Sequence, residues 1–218
     1  HYEHIGEGLT KVESELSPTA VLAVLCTTVL TAYCGFFKVG KPVAGDVVLV
    51  SGAAGATGSV VGQLAKIAGC RVVGIAGGAD KCQWLVDEAG YDAAIDYKAG
   101  DVKAQIKEHC PRGVDVIFDN VGGTILDDML ANIATGARVV VCGGISRYET
   151  GGRPSGPGNY FNLIFRRANM AGFIVLDWAP EFPAIRKRLE GFVQEGKLAY
   201  QEAIQGGIEN APATLKRL

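Results

Sequence analysis

Several features are scarce in this 218-residue chain. The six cysteines, at 26, 34, 70, 82, 110 and 142, form no Cys-x-x-Cys pair. Such scattered spacing does not describe a disulfide-stapled secreted scaffold, so they read as buried thiols in a reducing, cytoplasmic compartment. Histidine is equally sparse, at 1, 4 and 109, and no clustered Cys/His set is present to hold zinc. There is no excess of positive charge. A net charge of −2 and a pI near 6.0 speak against a broad nucleic-acid surface and leave room for a local basic pocket. Long apolar runs are missing too. Residues 20–30 make the longest, and Cys26, Thr27 and Thr28 interrupt it, so it reads as too short and too polar to span a bilayer. No signal peptide is visible, and the chain opens on His1 rather than Met, so the expectation is that the natural start lies upstream.

Glycine, in contrast, is abundant. The 30 residues are about twice the usual share of roughly 7% and follow no collagen period, so they mark tight turns and close backbone approaches. Between them the hydrophobic pattern alternates between two periods. Continuous apolar runs at 46–51, 71–76, 93–96, 114–119, 138–142 and 170–176 predict strands covered on both faces. Helical spacing predicts helices at 57–69, 80–89 (Asp80 as cap, Gly90 as stop), 101–110 (closed by Pro111), 124–133 (ending near Gly136), 159–167 and 183–194. A further helix is expected over roughly 18–40, and a short strand with one more helix over 198–218. Residues 143–158 form a long polar loop of the kind that is either functional or mobile. Strands alternating with helices imply right-handed crossovers and an α/β fold with a doubly wound parallel sheet, the Rossmann class.

The strongest local motif is Ser51-Gly52-Ala53-Ala54-Gly55-Ala56-Thr57-Gly58, set between a strand and an amphipathic helix. Small residues let backbone approach a pyrophosphate, and the helix N-terminus offers free N–H groups. A strand–turn–helix junction that needs glycine only for packing is the plainer alternative. In an NAD site an acid at the tip of the second strand holds the ribose 2′-hydroxyl. Here that tip is Ala76-Gly77-Gly78, without an acid, and Lys81 follows. A cation there suits a 2′-phosphate, which favours NADPH over NADH; otherwise Lys81 is a solvated surface lysine. Tyr97, ending the third strand, is either a second phosphate contact or an ordinary strand-end tyrosine. Asn120 and the Cys142-Gly143-Gly144-Ile145-Ser146 stretch sit at strand carboxyl ends, where ligands bind in such sheets; simple turn chemistry is the plainer alternative for each.

These residues, with Leu30-Thr31-Ala32-Tyr33, Val39-Gly40-Lys41-Pro42, Phe118-Asp119-Asn120-Val121-Gly122-Gly123, Gly172-Phe173-Ile174-Val175 and Glu209-Asn210-Ala211-Pro212, recur in one group. The chain resembles the zinc-free medium-chain dehydrogenase/reductase superfamily, and within it the prostaglandin, 2-alkenal and curcumin reductase branch. The resemblance implies an NADP-binding Rossmann domain at 25–197. The flanks, 1–24 and 198–218, would be edges of a GroES-like catalytic domain most of which is missing from the chain.

It further implies that Gly55, Ala56, Thr57 and Gly58 hold the pyrophosphate, Lys81 and Tyr97 the 2′-phosphate, and Asn120 the ribose. Cys142, Gly143, Gly144, Ile145, Ser146 and Tyr148, with Phe173, Ile174, Val175 and Thr31, would line the nicotinamide side. Tyr148 is the catalytic candidate, either donating to an enolate oxygen or stacking on substrate. Departures from the group are Thr57, where an aliphatic residue is common, and Cys26-Thr27-Thr28, which alters the local substrate wall. The implied activity is NADPH-dependent reduction of the C=C bond of a small enone or enal, in a cytoplasmic homodimer with no membrane or nucleic-acid partner. The isolated piece would itself be inactive. The alternatives are a quinone oxidoreductase of the same superfamily and a non-catalytic nucleotide-binding module.

Overall fold

In a computed structural model, residues 14–147, 156–201 and 204–215 are described. The strands are β1 (Val47–Ser51), β2 (Arg71–Ala76), β3 (Ala93–Asp96), β4 (Val114–Asp119), β5 (Ile133–Val141) and β6 (Asn169–Gly172). All pair in parallel, in the order β3-β2-β1-β4-β5-β6. The order reverses between β1 and β4, which opens a crevice beyond their carboxyl ends.

Alternate strand residues feed two cores. Val48, Val50, Val116, Phe118 and Val140 face one, packed with the helices α2 (Thr27–Cys34), α3 (Gly58–Ile67) and α8 (Phe182–Gln194). Leu49, Ile75, Ile117 and Val139 face the other, packed with α5 (Val102–His109) and α6 (Gly123–Leu130). Every residue of β1 is buried, as a central strand covered on both faces requires. The remaining helices are α1 (Pro18–Val24), α4 (Ala79–Asp87), α7 (Asn162–Phe165) and α9 (Ala211–Leu215).

The structure changes several expectations. The 18–40 helix is three pieces: α1, α2 and a π-helical turn, Gly35–Gly40, that ends on left-handed Lys41. The break falls at Leu25–Cys26, where Cys26 adopts an extended backbone before α2. The 18–40 stretch is long and apolar enough to cross a membrane, with a mean hydropathy of 2.0, but more than half of that window is buried in the protein. Val24, Leu25, Val29, Leu30 and Phe36 sit in the first core, so it behaves as a core helix.

Residue 80 is not a cap. The cap position is Gly78, and Asp80 lies in the first turn, where its charge suits the helix dipole. Helix α6 stops at Leu130, and Ile133 already pairs with Val114; a bulge then absorbs extra residues around Gly136, whose N–H donates to Arg166 O at 2.7 Å. The sixth strand stops at Gly172 because its only neighbour, β5, ends at Val141. From Val175 the chain is 3₁₀-helical, with Ile174 and Leu176 exposed. No strand forms among the described residues after 198. All six thiols are free; Cys34, Cys70 and Cys110 are buried, while Cys26, Cys82 and Cys142 are only half-buried.

Candidate functional site

The crevice is built on the carboxyl ends of β1 and β4. After Ser51 the chain turns through Gly52 and enters α3 at Gly58. The turn closes on itself, Gly55 N–H donating to Gly52 O at 3.0 Å. A Cβ on Gly58 would lie 2.3 Å from Gly52 O and 2.8 Å from Ala53 Cα, so only glycine lets the helix start against the turn. The amides of Ala56, Thr57 and Gly58 have no acceptor among the described residues. They stand at the positive end of a ten-residue helix, which is the arrangement that receives an anion. The helix start is locked from the far side by Tyr91, a buried residue that sequence reasoning missed. Its hydroxyl donates to Gly58 O at 2.7 Å.

A second unanticipated feature ties β1 to β4. Asp119 is fully buried and accepts from Ser51 Oγ at 2.6 Å and from the amides of Val121 and Gly122. Burial pushes its carboxyl above the ordinary value, opposed by the Ser51 hydroxyl and the Gly122 and Val121 amides. Asn120 joins the network: its N–H donates to Ser51 Oγ at 2.9 Å and its Nδ2 to Ser51 O at 2.7 Å. The side-chain amide donor is thereby committed, while Oδ1 makes no bond among the described residues.

The end of β5 is laid onto the same turn. Cys142 and Gly143 N–H donate to Asp119 O, Ile145 N–H to Asn120 O, and Ser146 N–H and Oγ to Val121 O. Gly144 approaches Gly122 within this crossing. Burial, with the Asp119 charge behind it, pushes the Cys142 thiol up to about 11.

On the other side of β1, the tip of β2 meets the tip of β3. Asp96 Oδ1 accepts from Gly78 N–H and Lys98 N–H, both at 2.9 Å, and these two bonds hold its carboxyl below the usual range. The tyrosine ring of Tyr97 lies over bare backbone at Gly77, where a Cβ would be 2.7 Å from Cε1. Tyr97 is 48% exposed, and Lys81 leaves α4 one turn after Gly78, also exposed. Lys98, not anticipated, adds a cation 5.9 Å from the Tyr97 ring centre.

Cys142 and Phe173 pack on the core that contains Phe118. Phe173 is half-buried, its ring 6.0 Å from that of Trp178 and pressed against Gly35 in the π-helical turn. Thr31 Oγ1 donates to Thr27 O at 2.8 Å, which fixes the hydroxyl on its own helix and leaves it only accepting. Ile174 points to solvent and Val175 begins the 3₁₀ turn. Gly55 to Gly58, Asn120 and Cys142 to Ser146 thus come together at one edge of the sheet, while Lys81 and Tyr97 stand at the neighbouring strand tips. Tyr148 lies outside the described residues. No three His, Cys, Asp or Glu side chains come together among the described residues.

A family model described as zinc-binding dehydrogenase matches residues 56–191. The NADPH-dependent curcumin reductase of Escherichia coli is 36% identical over 215 residues, 96% of this chain and 62% of that protein. The 2-alkenal reductase (NADP(+)-dependent) of Nicotiana tabacum is 41% identical over 187 residues, 85% of this chain and 54% of its own length. Among solved structures, CurA from Vibrio vulnificus in complex with NADPH superposes with a TM-score of 0.87 at 40% identity, covering 95% of this chain and 64% of that one. The chain therefore spans about three fifths of the length of such relatives.

Proposed function

The chain belongs to the zinc-binding dehydrogenase family, in the zinc-free medium-chain branch of curcumin and prostaglandin reductases, and from that premise we propose that it is the cofactor-binding part of an NADPH-dependent enone or enal reductase. One observation carries the reading. The unengaged amides of Ala56 to Gly58 head a helix beside a strand tip that offers Lys81 and Tyr97, while Asp96 at that tip turns one carboxylate oxygen to the amides of Gly78 and Lys98. That donor set suits a pyrophosphate and a 2′-phosphate.

The residues divide the work as follows. Gly55 to Gly58 receive the pyrophosphate, Lys81 and Tyr97 the 2′-phosphate, and Asn120 Oδ1 the ribose. Cys142 to Ser146, Thr31 and Phe173 to Val175 wall the nicotinamide, and Tyr148 contacts the substrate. Held by these residues, the cofactor's chemistry would be hydride donation to the β-carbon of an unsaturated carbonyl compound. The protein contributes orientation, exclusion of water by Phe173 and its aromatic neighbours, and a polar site for the enolate oxygen. 2-Alkenals, named for the tobacco relative, are α,β-unsaturated aldehydes of this kind. For the quinone-reductase alternative, a quinone oxidoreductase of Pseudomonas syringae at 22% identity shares the fold.

The same reading assigns 25–197 to the cofactor domain and 1–24 and 198–218 to the flanks of a second domain, and it places the protein in the cytoplasm. It makes the protein a homodimer. The exposed Ile164, Phe165, Ile174 and Leu176 beside the edge strand β6 support that assembly. The test is Lys81→Ala in the full-length protein. NADPH affinity should fall about tenfold by fluorescence titration while NADH affinity holds. Equal loss for both cofactors would remove Lys81 as the discriminator, and no NADPH oxidation above a blank with a small enal would refute the activity.

A further inference from the structure

A sizeable concavity among the described residues lies away from the crevice. It lies at the opposite, amino-terminal edge of the sheet, between the end of α5 and the starts of β4 and β5, and has a volume of about 850 Å³. That size suits a small-molecule ligand. Its rim carries Lys103, Lys107, Arg112 and Arg166 against one carboxylate, Asp101. Four cations thus gather on a chain whose net charge is −2.

A simple account would make these cations caps for helix carboxyl ends, since α5 and α6 both end here. The hydrogen bonds do not support it. At the end of α5, Ile106 O accepts from Cys110 N–H, His109 O from Arg71, and Cys110 O from Gly113 N–H. At the end of α6, Asp128 O accepts from Asn132 Nδ2, Met129 O from Asn132 N–H, and Leu130 O from Asn162 Nδ2. None of the four cationic side chains makes a hydrogen bond or an ion pair among the described residues. Asp101, whose carboxylate caps α5 through Ala104 N–H at 3.1 Å, makes no ion pair with any of the four among the described residues. Asp128 lies within electrostatic reach of Lys103, but the four cations have no hydrogen-bonded partner among the described residues around a concave floor that includes Pro111, Ala131 and Ala134.

We propose that this basal cleft is a second anion site, for a small molecule carrying condensed phosphate, either pyrophosphate itself or a nucleoside diphosphate. Two guanidinium forks and two ammonium groups match a closely spaced pair of phosphates better than a single carboxylate. The apolar floor can seat a base. The cleft does not share a residue with the NADPH crevice and does not depend on it.

The experiment is calorimetric titration of the full-length protein, held at saturating NADP⁺, with inorganic pyrophosphate, ADP and citrate. The expected result is one site per chain for pyrophosphate and ADP. Affinity should fall at least tenfold in Lys107→Ala/Arg112→Ala and stay unchanged in Lys81→Ala. Tighter binding of ADP than of pyrophosphate, or equal binding, supports the site in either case and tells whether the base takes part. No binding at saturating NADP⁺, unchanged affinity in the double variant, loss in Lys81→Ala, or citrate binding as tightly as pyrophosphate would each overturn the proposal.

Discussion

Gly35→Ala adds one methyl group where the π-helical turn meets the cleft wall. Its Cβ would stand 2.5 Å from Phe173 Cζ and 2.8 Å from both Phe173 Cε1 and Phe118 Cε2. Carbon atoms settle at about 3.5–4.0 Å, so roughly 1 Å of space is missing. Phe118 is fully buried in β4, a central strand, and has nowhere to go. Phe173 is half-buried just past the end of β6, so its ring gives way. Overpacking of this size destabilises by about 1–3 kcal/mol, which lowers Tm by roughly 2–4 °C per kcal/mol for a domain of this length. If Phe173 walls the nicotinamide, the same movement lowers kcat/KM by up to about 10²-fold, since misplacements near 1 Å have effects of that order. The assays are thermal unfolding and NADPH consumption with a small enal, both on the full-length protein. Phe173→Leu in the Gly35→Ala background should recover at least half of the lost Tm. A Gly35→Ala protein with unchanged Tm and activity within twofold of the parent would refute the reasoning, as would failure of Phe173→Leu to restore stability.

Other outcomes follow from the buried polar contacts. Tyr91→Phe removes the 2.7 Å hydroxyl bond to Gly58 O and should lose about 1–2 kcal/mol in urea unfolding; a loss below about 0.3 kcal/mol would show that the bond does not hold the helix start. Ser51→Ala strips both Asp119 and Asn120 N–H of a partner and should lose about 1–3 kcal/mol. Asp119 already has a raised carboxyl value in the folded state, so its contribution is full at low pH and declines as pH rises through that value. Losing the Ser51 bond raises it further, so the variant's deficit should be larger at pH 7 than at pH 4, and an equal deficit would contradict the assignment. At Asp92, burial alone would raise the carboxyl value, but the Lys66 bond at 2.8 Å and the Val72 amide outweigh it and hold it below the usual range. Its stabilisation is present above the ordinary carboxylate value and lost as pH falls through the lowered one. Asp92→Asn should therefore flatten the acid side of a Tm-against-pH profile between pH 6 and 3, and an unaltered profile would count against it.

The first five strands could be read from the amino acids because each contains a short apolar run that ends near glycine or a small polar residue, the pattern of strands covered on both faces. The 170–176 run has the same composition, yet Phe173 to Leu176 leave the sheet. Whether an apolar residue joins a strand depends on where its neighbour ends, and Val141 lies far away in sequence. The glycine turn was legible because its spacing is local. Ser51 and Asp119, 68 positions apart, carry no local mark of their bond, and neither does Tyr91 with Gly58. The unbroken 18–40 helix failed for a similar reason. Its apolar character is real, but the extended backbone at Cys26 divides it, and the widened turn at Gly35 packs against Phe118 of β4 and Phe173, neither of which is close in sequence.

The burial of the thiols has a chemical consequence. Enals and enones alkylate thiolates by conjugate addition, so a protein that handles them is exposed to its own substrate. Burial pushes Cys34, Cys70, Cys110 and Cys142 up to about 11. At neutral pH only about one in ten thousand such groups is ionised, roughly a hundredfold fewer than for a free cysteine. Cys142, the one of the four at the crevice, is held in its neutral form first by burial and then by the charge of Asp119, which also orders the strand ends. Under the proposed reductase reading, burial beside the Asp119 network keeps a soft nucleophile from competing for an unsaturated carbonyl substrate.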